Sequence, residues 1–177
     1  SQISSASLNI SSWQSFYATV HEHLSGVIDT SNLAVGIIDN NKSSINFDYF
    51  VEDRQEGVPA PIPLDAKDSL SAKVIRKGKS RFMDADEINE AYSKNKARVS
   101  GELPTLWVGC PLGKRKDPIG LIMIQSYEIN PNFTRSDLEF LETVSDVVSQ
   151  AIYNQKQKRN LEISEKRFRV ISETATD

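Results

Sequence analysis

Residues 105–141 read TLWVGCPLGKRKDPIGLIMIQSYEINPNFTRSDLEFL, and their pattern decides the fold. Two apolar runs, 105–112 and 119–127, flank a polar segment with Gly113 at one end and Pro118 at the other. Glycine and proline punctuate turns, so this predicts two strands joined by a hairpin loop over residues 113–118. The next signal is a helix start. Thr134 can cap, Asp137 three residues on completes an acidic capping box, and Phe133 is placed to staple onto Leu138. Beyond it Leu141, Val144, Val148 and Ile152 recur on one stripe, a polar stretch follows, and Leu161, Phe168 and Ile171 resume it. No glycine or proline interrupts Leu138 to Asp177. An unbroken helix to Ile171 reaches roughly 50 Å at about 1.5 Å per residue, more than one small domain needs to cover a sheet.

Working back towards the N-terminus, Trp13, Phe16, Tyr17, Val20, Leu24, Val27 and Ile28 form a 3.6-residue stripe behind the capping candidates Ser11 and Ser12. An amphipathic helix is expected there. Residues 33–38 and 45–51 are short apolar runs separated by the turn chemistry of residues 39–44, which predicts a second hairpin. Pro59, Pro61 and Pro63 exclude regular structure over residues 57–63. After them Asp68 or Ser69 can cap a short helix carrying Leu70, Val74 and Ile75 and ending at Lys77 before Gly78. Arg81, Phe82 and Met83 read as a brief strand. Residues 84–100 are charged and weakly patterned, with Ile88, Tyr92 and Val99 as their only anchors.

At 177 residues the chain is long enough for one core and short for two. Its apolar fraction of 38% and formal charge of −3 describe a water-compatible domain with no basic field for nucleic acid, and no apolar run approaches the length of a membrane span. The single cysteine, Cys110, excludes an internal disulfide and a thiolate zinc site, which fits a reducing, cytoplasmic setting. Residues 1–12 are serine-rich and lack the layout of a signal peptide, so they are expected to be a linker or the edge of a piece cut from a longer chain.

The order helix, hairpin, proline-rich crossover, short helix, variable segment, hairpin, long helix resembles the GAF domain family over residues 13–153. The string from Pro63-Leu64-Asp65 to Lys77-Gly78-Lys79 is similar to that family's crossover and its Gly-Lys exit. Leu106-Trp107-Val108-Gly109-Cys110-Pro111-Leu112 resembles its strand ending in Val-Pro-Leu, with Cys110 in place of valine. Ile119-Gly120-Leu121-Ile122 resembles the next strand, and Phe133-Thr134-Arg135-Ser136-Asp137 the start of its last helix. The resemblance implies an α/β (α+β) fold: a central, mainly antiparallel sheet with the N- and C-terminal helices on one face and the crossover helices and loops on the other. A PAS-like sheet is the alternative, disfavoured by the long first helix. Residues 164–177 resemble the opening of a PAS domain, so residues 154–177 are expected to be a signalling helix leading into it. A GAF-then-PAS order implies a sensor histidine kinase of a two-component system, or a cyclic-dinucleotide enzyme.

The implied function is a non-catalytic sensory domain that binds an unknown small molecule without a cofactor and relays its state through the last helix. A ligand-free dimerisation and relay module is the alternative. A thiol-dependent methionine sulfoxide reductase, known among similar proteins, needs a second cysteine to resolve the first, and this chain has none. A bilin is disfavoured because Pro111 follows Cys110, and cyclic GMP because the associated Asn-Lys-Phe-Asp-Glu signature is missing. His21 and His23, two apart on a helix, point to different sides and read as solvated surface rather than metal ligands. The candidate ligand residues are Phe82, Asp84, Tyr92 and Trp107, which combine apolar walls with polar handles. Phe82 and Trp107 fit a core better than a pocket, and Asp84 fits a helix cap as well as a ligand contact. Lys114, Arg115 and Lys116 read as a solvated hairpin tip. The basic residues Lys156, Lys158, Arg159, Lys166, Arg167 and Arg169, interspersed with Glu162 and Glu165 beside a sparse apolar stripe, suit helix pairing. A homodimer is therefore expected through Leu141, Val144, Val148, Ile152 and Leu161, although part of that stripe must also cover the domain's own sheet.

Overall fold

The apolar stripe from Trp13 to Leu24 forms helix α1, Trp13–Ser25, capped by Ser12 and closed at Gly26, so Val27 and Ile28 of the expected stripe lie beyond its end. In this computed structural model, residues 12–94 and 101–175 are described; the anchor expected at Val99 lies outside them. Strands β1 (Asn32–Ile38) and β2 (Ser44–Val51) pair antiparallel as the first hairpin. A two-residue strand β3 (Ile62–Pro63) extends its edge, inside the segment whose prolines were expected to exclude regular structure; an edge strand tolerates proline because one side of it needs no ladder donor. Helix α2 (Leu70–Lys77) is capped by Ser69 and ends at Gly78, whose φ of 60° is the left-handed conformation that suits glycine. Strand β4 (Arg81–Asp84) leads into helix α3 (Ala85–Ser93). The weak patterning of residues 84–100 concealed α3, because only Ile88 on it is buried and Tyr92 is exposed.

Strands β5 (Leu106–Lys114) and β6 (Asp117–Ser126) are longer than the sequence implied. Pairing runs to Lys114 opposite Asp117, leaving Arg115 and Lys116 as the turn, and a register shift at Gly113, φ 85°, absorbs the irregularity. Most of the expected loop is therefore ladder, because a glycine bulge lets polar residues at a solvated end stay paired. The six strands run in the order β3-β2-β1-β6-β5-β4, all neighbours antiparallel. At the C-terminal side, a 3₁₀ turn over Arg135–Asp137 feeds helix α4, Leu138–Ala175, 38 residues without a break.

Alternation along the strands sorts side chains to two faces. Leu33, Val35, Val108, Cys110, Leu112, Ile122 and Ile124 meet α1 and the first half of α4. On the other face Ile45 and Leu121 pack with Ala72 and Ile75 of α2, and Met83 and Trp107 pack with Val74 and Ile88 of α2 and α3. The mixed fold with its terminal helices on one face and the crossover elements on the other is the architecture expected from the sequence. Gly36 in β1 is required by this packing, since a Cβ there would lie 2.6 Å from the Ile45 side chain and 2.9 Å from that of Leu121.

Candidate functional site

Strands β4 and β5 position two of the four expected ligand residues, and they send them apart. Phe82 stands opposite Val108 and Met83 opposite Trp107. Phe82 therefore packs against the helix face, while Trp107, 3% exposed, belongs to the crossover cluster. The indole lies over Gly109, where a Cβ would fall 2.5 Å from its ring. With Val74, Met83 and Ile88 buried around it, that region of the crossover face is filled by the protein's own side chains. Asp84 caps α3, accepting from the Glu87 backbone N–H at 2.9 Å, and Tyr92 is exposed near the end of the same helix. The four residues do not converge on one cavity.

Phe82 has a different set of neighbours. Its ring stacks on Phe133 at 6.0 Å with 24° between planes, and the Arg135 guanidinium sits 4.7 Å above it. Arg135 is also ion-paired with Glu87 of α3. Asp137 accepts from the Thr134 backbone N–H at 2.7 Å, so the expected capping box closes through its carboxylate. The start of α4 is thus tied to the crossover elements by an aromatic stack, a cation over an aromatic ring and an ion pair.

Along α4, Leu141, Val144, Val148 and Ile152 are buried against the protein's own sheet and α1, and of the five expected pairing residues only Leu161 is open to solvent. Every residue over 156–175 is exposed, including Phe168 and Ile171. At about 1.5 Å per residue these twenty residues project roughly 30 Å beyond the body.

Cys110 is fully buried among the core side chains of the helix face, and burial pushes its thiol up to about 11. His21, expected at the solvated surface, is half-buried and bonded at both nitrogens. Nε2–H donates to the Thr30 carbonyl at 2.7 Å, which leaves Nδ1 to accept from the Tyr49 hydroxyl at 2.8 Å. Tyr49 reaches this position because β2 carries a bulge: Tyr49 pairs with Val35 and Phe47 with Gly36, so Asp48 is the extra residue. Among the described residues no cluster of three or more His, Cys, Asp or Glu could hold a metal, and no helix is long and apolar enough to cross a membrane.

A comparison with curated protein sequences finds no match. Among solved structures, the GAF domain of a phosphoenolpyruvate-protein phosphotransferase from Coxiella burnetii is similar with a TM-score of 0.71 at 14% identity, covering 90% of this chain and 93% of that one. The GAF domain of a two-component sensor histidine kinase from Bacillus halodurans gives 0.65 at 12% identity, covering 84% and 99%. A free methionine-R-sulfoxide reductase from Neisseria meningitidis, in complex with its substrate, gives 0.68 at 16%, covering 89% and 87%. Likeness at these identities speaks for the fold alone. The family model described as GAF domain matches residues 11–152, well over half of the 177, and the chain belongs to the GAF domain family.

Proposed function

We propose that this domain is a non-catalytic regulatory module of a multidomain cytoplasmic signalling protein, a sensor histidine kinase or cyclic-dinucleotide enzyme, and that it passes the state of its body to a following PAS-like domain through α4. The observation that carries this reading is the continuity of α4: one helix is core from Leu141 to Ile152 and solvent-exposed rod over residues 156–175. A rod rooted in the core transmits rotation or displacement of its root, because packed interiors shift between discrete arrangements rather than deform smoothly. Filling of that region of the crossover face by Trp107, Met83 and Ile88 favours a relay that needs no resident ligand there.

Phase is the test. The chain is fused through Ala175 to a histidine kinase core with one to seven alanines inserted at the junction. Kinase output should vary with helical periodicity; output indifferent to phase overturns the relay. Catalysis is checked separately with free methionine sulfoxide and a thiol reductant. Turnover that vanishes in Cys110→Ser would show that the lone, buried thiol is an active nucleophile and that the non-catalytic reading is wrong.

A further inference from the structure

Where α4 leaves the body, a groove of about 260 Å³ opens between α1, the sheet and the helix. Trp13 and Tyr17, stacked at 5.7 Å and 28°, form one wall with Ile37, and Ile152, the last buried residue of α4, forms part of the other. The bulge in β2 supplies its acid. Without the extra residue, Asp48 and Tyr49 would face opposite sides of the sheet. With it, Asp48 lines this groove while Tyr49 packs on the same helix-covered face, and Phe47 and Phe50 meet on the far side at 5.9 Å. Gln14 of α1 donates its side-chain amide to the Asp48 carbonyl and fixes the bulge against the helix.

The rest of the rim is cationic. Ile152, Gln155, Lys156 and Arg159 recur at helical spacing on one face of α4, and all four line the groove. Neither Lys156 nor Arg159 is ion-paired with Asp48 within 4 Å. Desolvation raises the Asp48 carboxyl above its ordinary value with no cation close enough to offset it. The Tyr17 hydroxyl is pushed up in turn by burial and by Asp48, and so stays a neutral donor. One groove thus offers a carboxylate and two cations with no ion-pair partner among the described residues, together with an aromatic wall. An anion alone would meet Asp48, and a cation alone would meet Lys156 and Arg159. A molecule carrying both charges beside an apolar group satisfies all three features.

We infer that this groove is a binding site for a free α-amino acid with an apolar side chain, its ammonium on Asp48, its carboxylate on Arg159 and Lys156, and its side chain against Trp13 and Tyr17. The volume lies just below the usual range for ligand pockets, which suits a molecule of that size. Bound there, the ligand would clamp the first solvent-exposed turn of α4 to α1 and the sheet. Binding here and relay through α4 are separate claims, and the experiment reads only the first.

The test is calorimetry of the chain with L-phenylalanine, phenethylamine and 3-phenylpropanoate. The amino acid should bind at least about tenfold more tightly than either singly charged analogue. Asp48→Asn should weaken L-phenylalanine and phenethylamine while sparing 3-phenylpropanoate, and Arg159→Gln should weaken L-phenylalanine and 3-phenylpropanoate while sparing the amine. No heat from L-phenylalanine at saturating concentration overturns the proposal. So does binding that both substitutions leave unchanged, which would put the ligand elsewhere. Should Asp48→Asn fail to fold, Arg159→Gln and Lys156→Gln, both at solvent-exposed positions, still decide it.

Discussion

Asp39 shows how much one side chain sets locally. At the β1–β2 turn its carboxylate accepts from the backbone N–H of Ser43 at 2.7 Å and of Ser44 at 3.2 Å, and from both serine hydroxyls. Hydrogen bonds to the charged form lower its pKa from 3.8 to about 2, the bonds from Ser43 contributing most. A depressed carboxylate contributes stability that is present above the unfolded value and lost as pH falls through the folded one. Urea midpoints of the wild type and Asp39→Asn should therefore differ near neutrality and converge as pH falls from 3.8 to about 2. A gap of constant size across that window would mean that the turn does not depend on the charge. The turn itself was legible in residues 39–44, since Asp and Ser favour such side chain–backbone bonds. The bulge at Asp48 was less so. Its trace is two aromatic residues three apart, Phe47 and Phe50, in a strand whose partners should stand two apart, and that reads easily as a strand apolar on both faces.

Among the elements, those with strong end signals matched their expected bounds, and α3 was not expected as an element. Helix α4 begins where Phe133, Thr134 and Asp137 place it, because caps are local chemistry that needs no knowledge of the rest of the chain. Helix α3 has a cap too, Asp84, but it buries only Ile88 and so offers no stripe to read. The separation of Phe82 from Trp107 was hidden for another reason: which face a residue takes depends on pairing register, and the register of β4 against β5 is set in three dimensions. The α4 start carries a graded prediction. The Thr134 hydroxyl bonds Ser136 and Asp137, whereas the Asp137 carboxylate takes up the Thr134 backbone N–H. Asp137→Ala should therefore lower unfolding stability by about 1 kcal/mol and Thr134→Ala by less, as read from urea denaturation. The reverse order would assign the cap to the hydroxyl.

For the molecule as a whole, the unresolved balance lies on the exposed half of α4. Leu161, Phe168 and Ile171 share one side of that helix at spacings of seven and three, with Ser164 and Ala175 completing the row, and all are open to water. Ile163 and Val170, also seven apart, lie on the opposite side. The first row has the period of a coiled-coil seam, and pairing it removes apolar surface that a lone rod leaves hydrated. Because Leu141, Val144, Val148 and Ile152 are engaged within one protomer, any seam must begin beyond them, and the polar residues over 154–160 place its start near Leu161. Two copies with these rods side by side in parallel would each present a residue-164 region to the next domain at the same height. Sedimentation equilibrium should accordingly give a dimer for the chain, a monomer for a version ending at Tyr153, and a shift towards monomer in Leu161→Glu and Phe168→Glu with helicity retained. Dimer mass persisting after truncation would move the interface onto the domain body, and a monomer at high concentration in both versions would leave α4 a single rod.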